Sequence, residues 1–276
     1  MKIKHILVPI DFSECSINAL KEAAKIARKL NSKIYLLHSS HISAPYVSMG
    51  EPVMDTFPAE YGKEIEGAFK KLEEEVPLLR EIQYETKEVI NNLMDSIYTE
   101  ITASQIDIVI MGTRKDHDFF EKMLGSHASD VLKIARVPVL IIPDCTEKFD
   151  VKKIGIGVDA KSIKEVDKID AIAHIAHIFD AEINVFYVAK PGETLDFANS
   201  SYKDIFESYF QGLNIQFINV KNENTLKGIE EFSHNENIDL LVLFPRHHEL
   251  MDRILHGSTT QKIVKKMDMP LLAIPE

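Results

Sequence analysis

Tryptophan is absent from this sequence, and cysteine occurs twice, at Cys15 and Cys145. Two cysteines cannot build a disulfide framework, and their spacing fits no metal site, so both read as ordinary small side chains. Long apolar runs are missing too. Nothing approaches the roughly eighteen residues of a membrane-spanning helix, and no charged start leads into an apolar segment of the signal-peptide kind. A cytoplasmic protein without membrane contact is therefore expected. Basic charge is also in short supply: 32 Lys and Arg face 43 Asp and Glu, a formal net charge of -11. An acidic surface repels a phosphate backbone, which excludes nucleic acid as the main partner and requires any small anion to have a locally prepared site. What is present is ordinary globular material, 276 residues with 45% apolar and 27% charged, enough for two domains of average size.

The chain repeats itself. Gly125, Ser126, Pro138 and Pro143 return as Gly257, Ser258, Pro270 and Pro275, each 132 residues later. At the two starts, HILVPID (His5 to Asp11) is echoed by KIGIGVD (Lys153 to Asp159) at a shift of 148. The chain thus reads as two copies of one domain, 1–146 and 150–276, with Thr146 to Asp150 as a short charged linker. The difference between the shifts, 148 minus 132, gives copy one about sixteen extra residues in its middle.

Each copy alternates β-rich runs with amphipathic segments, the pattern of a parallel sheet covered by helices. In copy one the expected order is a strand at 6–10, a helix at 14–30, a strand at 33–38, a long loop at 39–57 carrying most of the insertion, a helix at 59–75, a strand at 83–87, a helix at 91–104, a strand at 107–111, a helix from Gly125-Ser126, and a strand at 139–142. Copy two follows suit with strands at 154–158, 182–188, 214–220, 239–244 and 271–274, and helices at 163–179, 195–212, 224–232 and from Gly257 to Met267. Two tandem five-stranded, doubly wound α/β domains follow. The loops after strands one and four then lie at the carboxyl edge, where open α/β sheets bind ligands.

In copy one that edge carries Gly112-x2-Lys115-x9-Gly125-Ser126. A glycine at a strand exit lets a phosphate come close to backbone, and a Gly-Ser helix start offers unpaired N–H groups and a hydroxyl. The same residues also suit a plain strand-loop-helix connection with a serine cap. Three stretches, VPIDFSECSINAL (Val8 to Leu20), MGTRK (Met111 to Lys115) and LGSHASDVLKIARVPVLIIP (Leu124 to Pro143), resemble the universal stress protein domain. Its pattern is a Pro-x-Asp on strand one and Gly-x2-Gly-x9-Gly-Ser/Thr after strand four. The resemblance spans copy one and, more weakly, copy two. It implies a Rossmann-like fold, similar to adenine nucleotide alpha hydrolases, and binding of ATP or AMP with Mg²⁺. By the same resemblance, Asp11 meets the ribose or adenine and Pro9 shapes the base pocket. Met111 and Gly112 pass the ribose and phosphates along their backbone, and Gly125, Ser126 and the His127 amide cradle the phosphates. Arg114 and Lys115 belong to the same loop. Asp11 has a second reading, as a helix-start carboxylate beside Ser13.

Copy one departs from the pattern where Lys115 replaces the second glycine. Its ammonium can pair with phosphate, or its side chain can fill space that the backbone turn needs. In copy two the shift of 132 puts Phe244 in place of Gly112 and His247 in place of Lys115, while Asp159, Gly257 and Ser258 are kept. Copy two is expected to bind no nucleotide and to stand in for the second subunit of a homodimer. Whether whole chains dimerise further is left open. His247, His248 and His256 fit no standard zinc frame and read as surface loop histidines. Tyr46, Met49 and Met54 have two readings, as anchors of an ordinary loop and as a lid or partner-binding patch of flexible methionines. No general base is paired with a nucleophile, and no Walker lysine sits in a Gly-rich loop, so slow ATP hydrolysis is the most enzymology expected. Two function classes stand: a nucleotide-binding stress or signalling protein, and an interaction protein whose phosphate loops have decayed in both copies.

Overall fold

The computed structural model of the chain describes residues 2–40, 57–113, 127–144, 146, 149–158, 169–196, 201–244 and 269–275. In the first half the elements are β1 (His5–Pro9), α1 (Glu14–Leu30), β2 (Lys33–Ser40), α2 (Phe57–Glu75), a 3₁₀ turn (Pro77–Glu81), β3 (Tyr84–Ile90), α3 (Leu93–Ala103), β4 (Ile108–Thr113), α4 (His127–Ile134) and β5 (Val139–Pro143). The second half has β6 (Lys153–Gly157), α5 (Ile169–Phe179), β7 (Glu182–Ala189), α6 (Ser201–Tyr209), β8 (Ile215–Lys221), α7 (Thr225–Asn235), β9 (Leu240–Leu243) and β10 (Leu271–Ala273). Local chemistry explains the boundaries. Ser13 caps α1 by accepting from the Ser16 amide, and the helix stops at Asn31 in the left-handed conformation, with Arg28 and Lys29 in its last turn. Central strands such as β1 and β5 are buried on both faces, which accounts for their unbroken Val, Ile and Leu. The 3₁₀ turn has no counterpart in the sequence reading; Pro77 at its start presets the backbone for it.

The ten strands among the described residues form one sheet, in the order β3-β2-β1-β4-β5-β10-β9-β6-β7-β8. Within each half the strands are parallel in the order 3-2-1-4-5, and the halves join through β5 and β10, which pair antiparallel. Leu140 faces Leu272, Val139 faces Ala273 and Ile141 faces Leu271. Residues 132 apart thus exchange partners about the Leu140/Leu272 pair, as two subunits do about a two-fold axis. The two halves are therefore related by a pseudo-two-fold axis through that pair.

The duplication extends to backbone details that the sequence matches do not show. Asp107 Oδ2 accepts from the amides of Lys4 and His5 at 2.7 and 2.9 Å, and Asp239 Oδ2 accepts from those of Lys152 and Lys153 at 2.9 and 2.8 Å. Left-handed residues recur as Gln105 and Asn237, and as Asn31 and Asp180. Asn92 caps α3 and Asn224 caps α7, each through its side chain. Register also locates the insertion. Ile6 pairs with Ile34 and Ile154 with Ile183, while Ile34 pairs with Tyr84 and Ile183 with Ile215. The shift therefore drops from 149 at the second strands to 131 at the third, placing eighteen extra residues between β2 and β3. The net of sixteen arises because the halves differ by single residues elsewhere. β2 runs through Ser40 and α2 opens at Phe57, so the expected loop is shortened at its start.

One sheet face carries a single core across both halves, in which Ile6, Ile110 and Leu140 share a cluster with Ile156, Val242 and Leu272 under α1, α2, α5 and α6. The opposite face holds two separate cores, one under α3 and α4 and the other under α7. On the shared face, the Lys29 ammonium donates to the Ile178 carbonyl at 2.9 Å and lies 4.3 Å from the centroid of the Phe179 ring. The segment expected to be a short charged linker contributes to this core: Phe149 is buried, as is Val151 just after the segment, and Asn18 of α1 donates to the Thr146 carbonyl at 3.2 Å.

Candidate functional site

Strand order 3-2-1-4-5 places a topological switch point between β1 and β4, because the chain leaves β1 to one side and returns to β4 on the other. Ile6 pairs with Ile108 and Leu7 with Val109, a register that brings Pro9 level with Met111 at the carboxyl edge. Four of the candidate residues, Pro9, Asp11, Met111 and Gly112, thus lie at the switch point, where open α/β sheets form a ligand crevice. Pro9 and Met111 are buried, Gly112 is half-buried and Asp11 is exposed. Met111 belongs to the core under α3 and α4. Arg114, Lys115, Gly125 and Ser126 lie outside the described residues, as do Cys145, Asp159 and the His247, His248 and His256 group. His127 opens α4.

Asp11 engages its own loop. Its Oδ1 accepts from the Ser13 amide at 3.0 Å and from the Ser13 hydroxyl at 2.6 Å, while the Asp11 amide donates to Ser16 Oγ at 3.4 Å. The helix-start reading of this carboxylate therefore describes what it does in the free protein. Partial burial pushes the carboxyl up, but the hydrogen bonds of Ser13 and Ser16 outweigh it and hold Asp11 below the ordinary value of 3.8. The carboxylate is ionised at neutral pH and can accept further hydrogen bonds. Because the folded value lies below the unfolded one, these bonds stabilise the protein above the ordinary carboxylate value. Their contribution is lost as pH falls through the folded value. Urea unfolding of the wild type and Asp11→Asn should differ by a constant amount from about pH 7 to pH 5 and converge below about pH 4. A difference unchanged down to about pH 2.5 would mean the hydrogen bonds add no stability.

Gly112 is explained by a contact that sequence reasoning did not identify. A Cβ there would lie 2.4 Å from the Cys15 carbonyl oxygen, 2.7 Å from its Sγ and 2.8 Å from its carbonyl carbon. The exit of β4 is therefore packed directly on the first turn of α1, and glycine is required by the protein's own backbone before any ligand is considered. Cys15, read as an ordinary small side chain, is one wall of this contact; its small size beside the Asp11 loop was the available signal. In the second half, Phe244 follows β9 at the register position of Gly112, and its half-buried ring packs on the shared core. The close approach of helix to strand seen at Gly112 cannot be reproduced at Phe244.

Two other residues of the crevice were missed. Phe12 adopts a left-handed conformation, with φ 61°, and packs 4.9 Å from the His38 ring and 5.3 Å from that of Phe69 on α2. The signal for His38 was a histidine ending the otherwise apolar run IYLLH. Among the described residues, no group of three His, Cys, Asp or Glu is placed to hold a metal ion. No described helix is long and apolar enough to cross a membrane.

A family model described as the universal stress protein family matches residues 2–143 and again residues 150–275. A universal stress protein of Methanocaldococcus jannaschii is 27% identical over 143 residues, 50% of this chain and 81% of that protein. A universal stress protein A homolog of Haemophilus ducreyi is 31% identical over 144 residues, 51% of this chain and 96% of the relative. Among solved structures, a universal stress protein from Archaeoglobus fulgidus superposes with a TM-score of 0.71 at 16% identity, covering 100% of this chain and 97% of that one. A putative universal stress protein from Pseudomonas aeruginosa gives 0.61 at 18% identity, over 99% of this chain and 93% of the other.

Proposed function

Because the chain belongs to the universal stress protein family, we propose that its first half binds an adenine nucleotide, ATP or AMP, in the crevice between β1 and β4. The second half would then serve as a built-in structural partner without a nucleotide of its own. The observation that carries this reading is the convergence of Pro9, Asp11, Met111 and Gly112 at the switch point, where open parallel sheets take their ligands. The residues fit the chemistry. Asp11 is exposed and held ionised, a suitable acceptor for ribose hydroxyls, and Pro9 would wall the base. The backbone of Met111 and Gly112 would run along ribose and phosphates. Gly125, Ser126 and the His127 amide would cradle the phosphates at the start of α4, with Arg114 and Lys115 supplying positive charge. Mg²⁺ would arrive with the phosphates, its usual partners in nucleotide sites. Occupancy of such a site would bias the surface offered to partners in a stress or signalling role.

Mass spectrometry of small molecules released on denaturation, followed by titration calorimetry with Mg-ATP and AMP, tests the reading. One equivalent of adenine nucleotide per chain is expected. Gly125→Val should abolish binding by blocking the start of α4, and Gly257→Val should leave it intact; the reverse would move the site to the second half. A second reading, an interaction protein that acts without nucleotide, is favoured by the engagement of Asp11 with Ser13. No released nucleotide and no heat on titration would establish it over the first.

A further inference from the structure

We infer that His38 is a positioning residue for the Asp11 loop, holding that loop in the shape the nucleotide crevice needs. The inference deepens the proposed function and rests on it for the ligand, though not for the loop. β1 ends at Pro9, but its pairing with β2 continues for one more residue. The Ile10 amide donates to the Leu37 carbonyl at 2.9 Å, and the Ile10 carbonyl accepts from His38 Nδ1 at 2.8 Å. A carbonyl only accepts, so Nδ1 carries a proton and donates, which leaves Nε2 as the ring's other nitrogen. That Nε2 is buried and has no hydrogen-bond partner among the described residues, although His38 is only 9% exposed.

An aliphatic side chain here could not donate to the Ile10 carbonyl. The Nδ1 donor is therefore what a histidine supplies at this position. The residue after Asp11 supports this view. Phe12 is held in the left-handed conformation, which a bulky side chain adopts only when its surroundings impose it, and the rings of His38 and Phe69 are what it packs against. His38 therefore grips both residues that flank Asp11, Ile10 by a hydrogen bond and Phe12 by ring packing. In the second half the backbone bond is kept, from the Val158 amide to the Phe186 carbonyl at 2.9 Å, but register puts Tyr187 in place of His38. The imidazole grip thus occurs in the half that has a glycine, Gly112, near the end of β4.

His38→Asn and His38→Gln separate positioning from bulk structure, because an Asn amide can reach the place of Nδ1 and a Gln amide extends past it. Two readouts are taken, the affinity for AMP by calorimetry and the Asp11 carboxyl titration by ¹³C NMR, alongside thermal unfolding. His38→Asn should stay within about threefold of the wild-type affinity, and His38→Gln should bind about tenfold more weakly or worse. In His38→Gln the Asp11 carboxyl should also move up toward 3.8 as its bonds to Ser13 loosen. An Asp11 titration unchanged in His38→Gln overturns the inference, whatever the nucleotide does. Failure of the wild type to bind any nucleotide would instead sink the proposed function and leave the Asp11 titration to decide the role of His38.

Discussion

Gly112→Ala is expected to destabilise the protein by about 1–3 kcal/mol, the range for forcing one extra carbon into a packed site. The new methyl would lie 2.4 Å from a backbone oxygen of α1, and a backbone atom cannot move aside as the end of a flexible side chain can. Either the first turn of α1 shifts or β4 gives way. Both responses disturb the crevice, since Ser13, which donates to Asp11, caps that turn and Met111 lies on that strand. Denaturant unfolding with a matched nucleotide titration checks the expectation, and affinity should fall together with stability. Stability within about 0.5 kcal/mol of the wild type would show that the helix start tolerates the methyl.

Leu140→Ala and Leu272→Ala are each expected to cost about 2–5 kcal/mol, because both side chains are fully buried where the two halves meet. The shared core lets neither half relax independently around the cavity: Leu140 and Leu272 belong to the same cluster as Ile110 and Val242. The two leucines face each other across β5 and β10, so the double substitution should deviate from the sum of the single ones by more than about 0.5 kcal/mol. A single cooperative unfolding transition should persist in all three variants. Two separate transitions in the wild type would show that the halves fold independently and that the join contributes little.

Glycine and proline made the duplication legible, because their backbone demands keep them in place while neighbouring residues drift. The element order followed from runs such as Ile108 to Met111, whose apolar character comes from burial on both faces. Other features depend on partners remote in the chain and leave no local trace. Asp107 and Asp239 look like ordinary surface carboxylates until the amides of Lys4 and Lys152 arrive from about a hundred residues away. Nothing in VLIIP or LLAIP states that these two strands pair with each other. Phe149 was read as linker because charged residues surround it, yet tertiary packing buries it. At the crevice, Pro9, Asp11 and Gly112 were legible as a motif. The grip of His38 and the left-handed Phe12 were not, since a phenylalanine with φ 61° runs against its own local preference. The contact of Gly112 with Cys15 was hidden for a similar reason, as 97 residues separate the two in sequence.

The antiparallel join of β5 and β10 sets the carboxyl edges of the two halves on opposite rims of one sheet. In a pair of identical subunits every substitution is inherited twice, so a residue that spoils one rim spoils the other. Here each rim has its own codons. A phenylalanine could settle at position 244 while glycine stayed at 112, with the joint between them intact. Covalent fusion thus frees one rim for evolutionary drift, or for an unrelated task, without risk to the other.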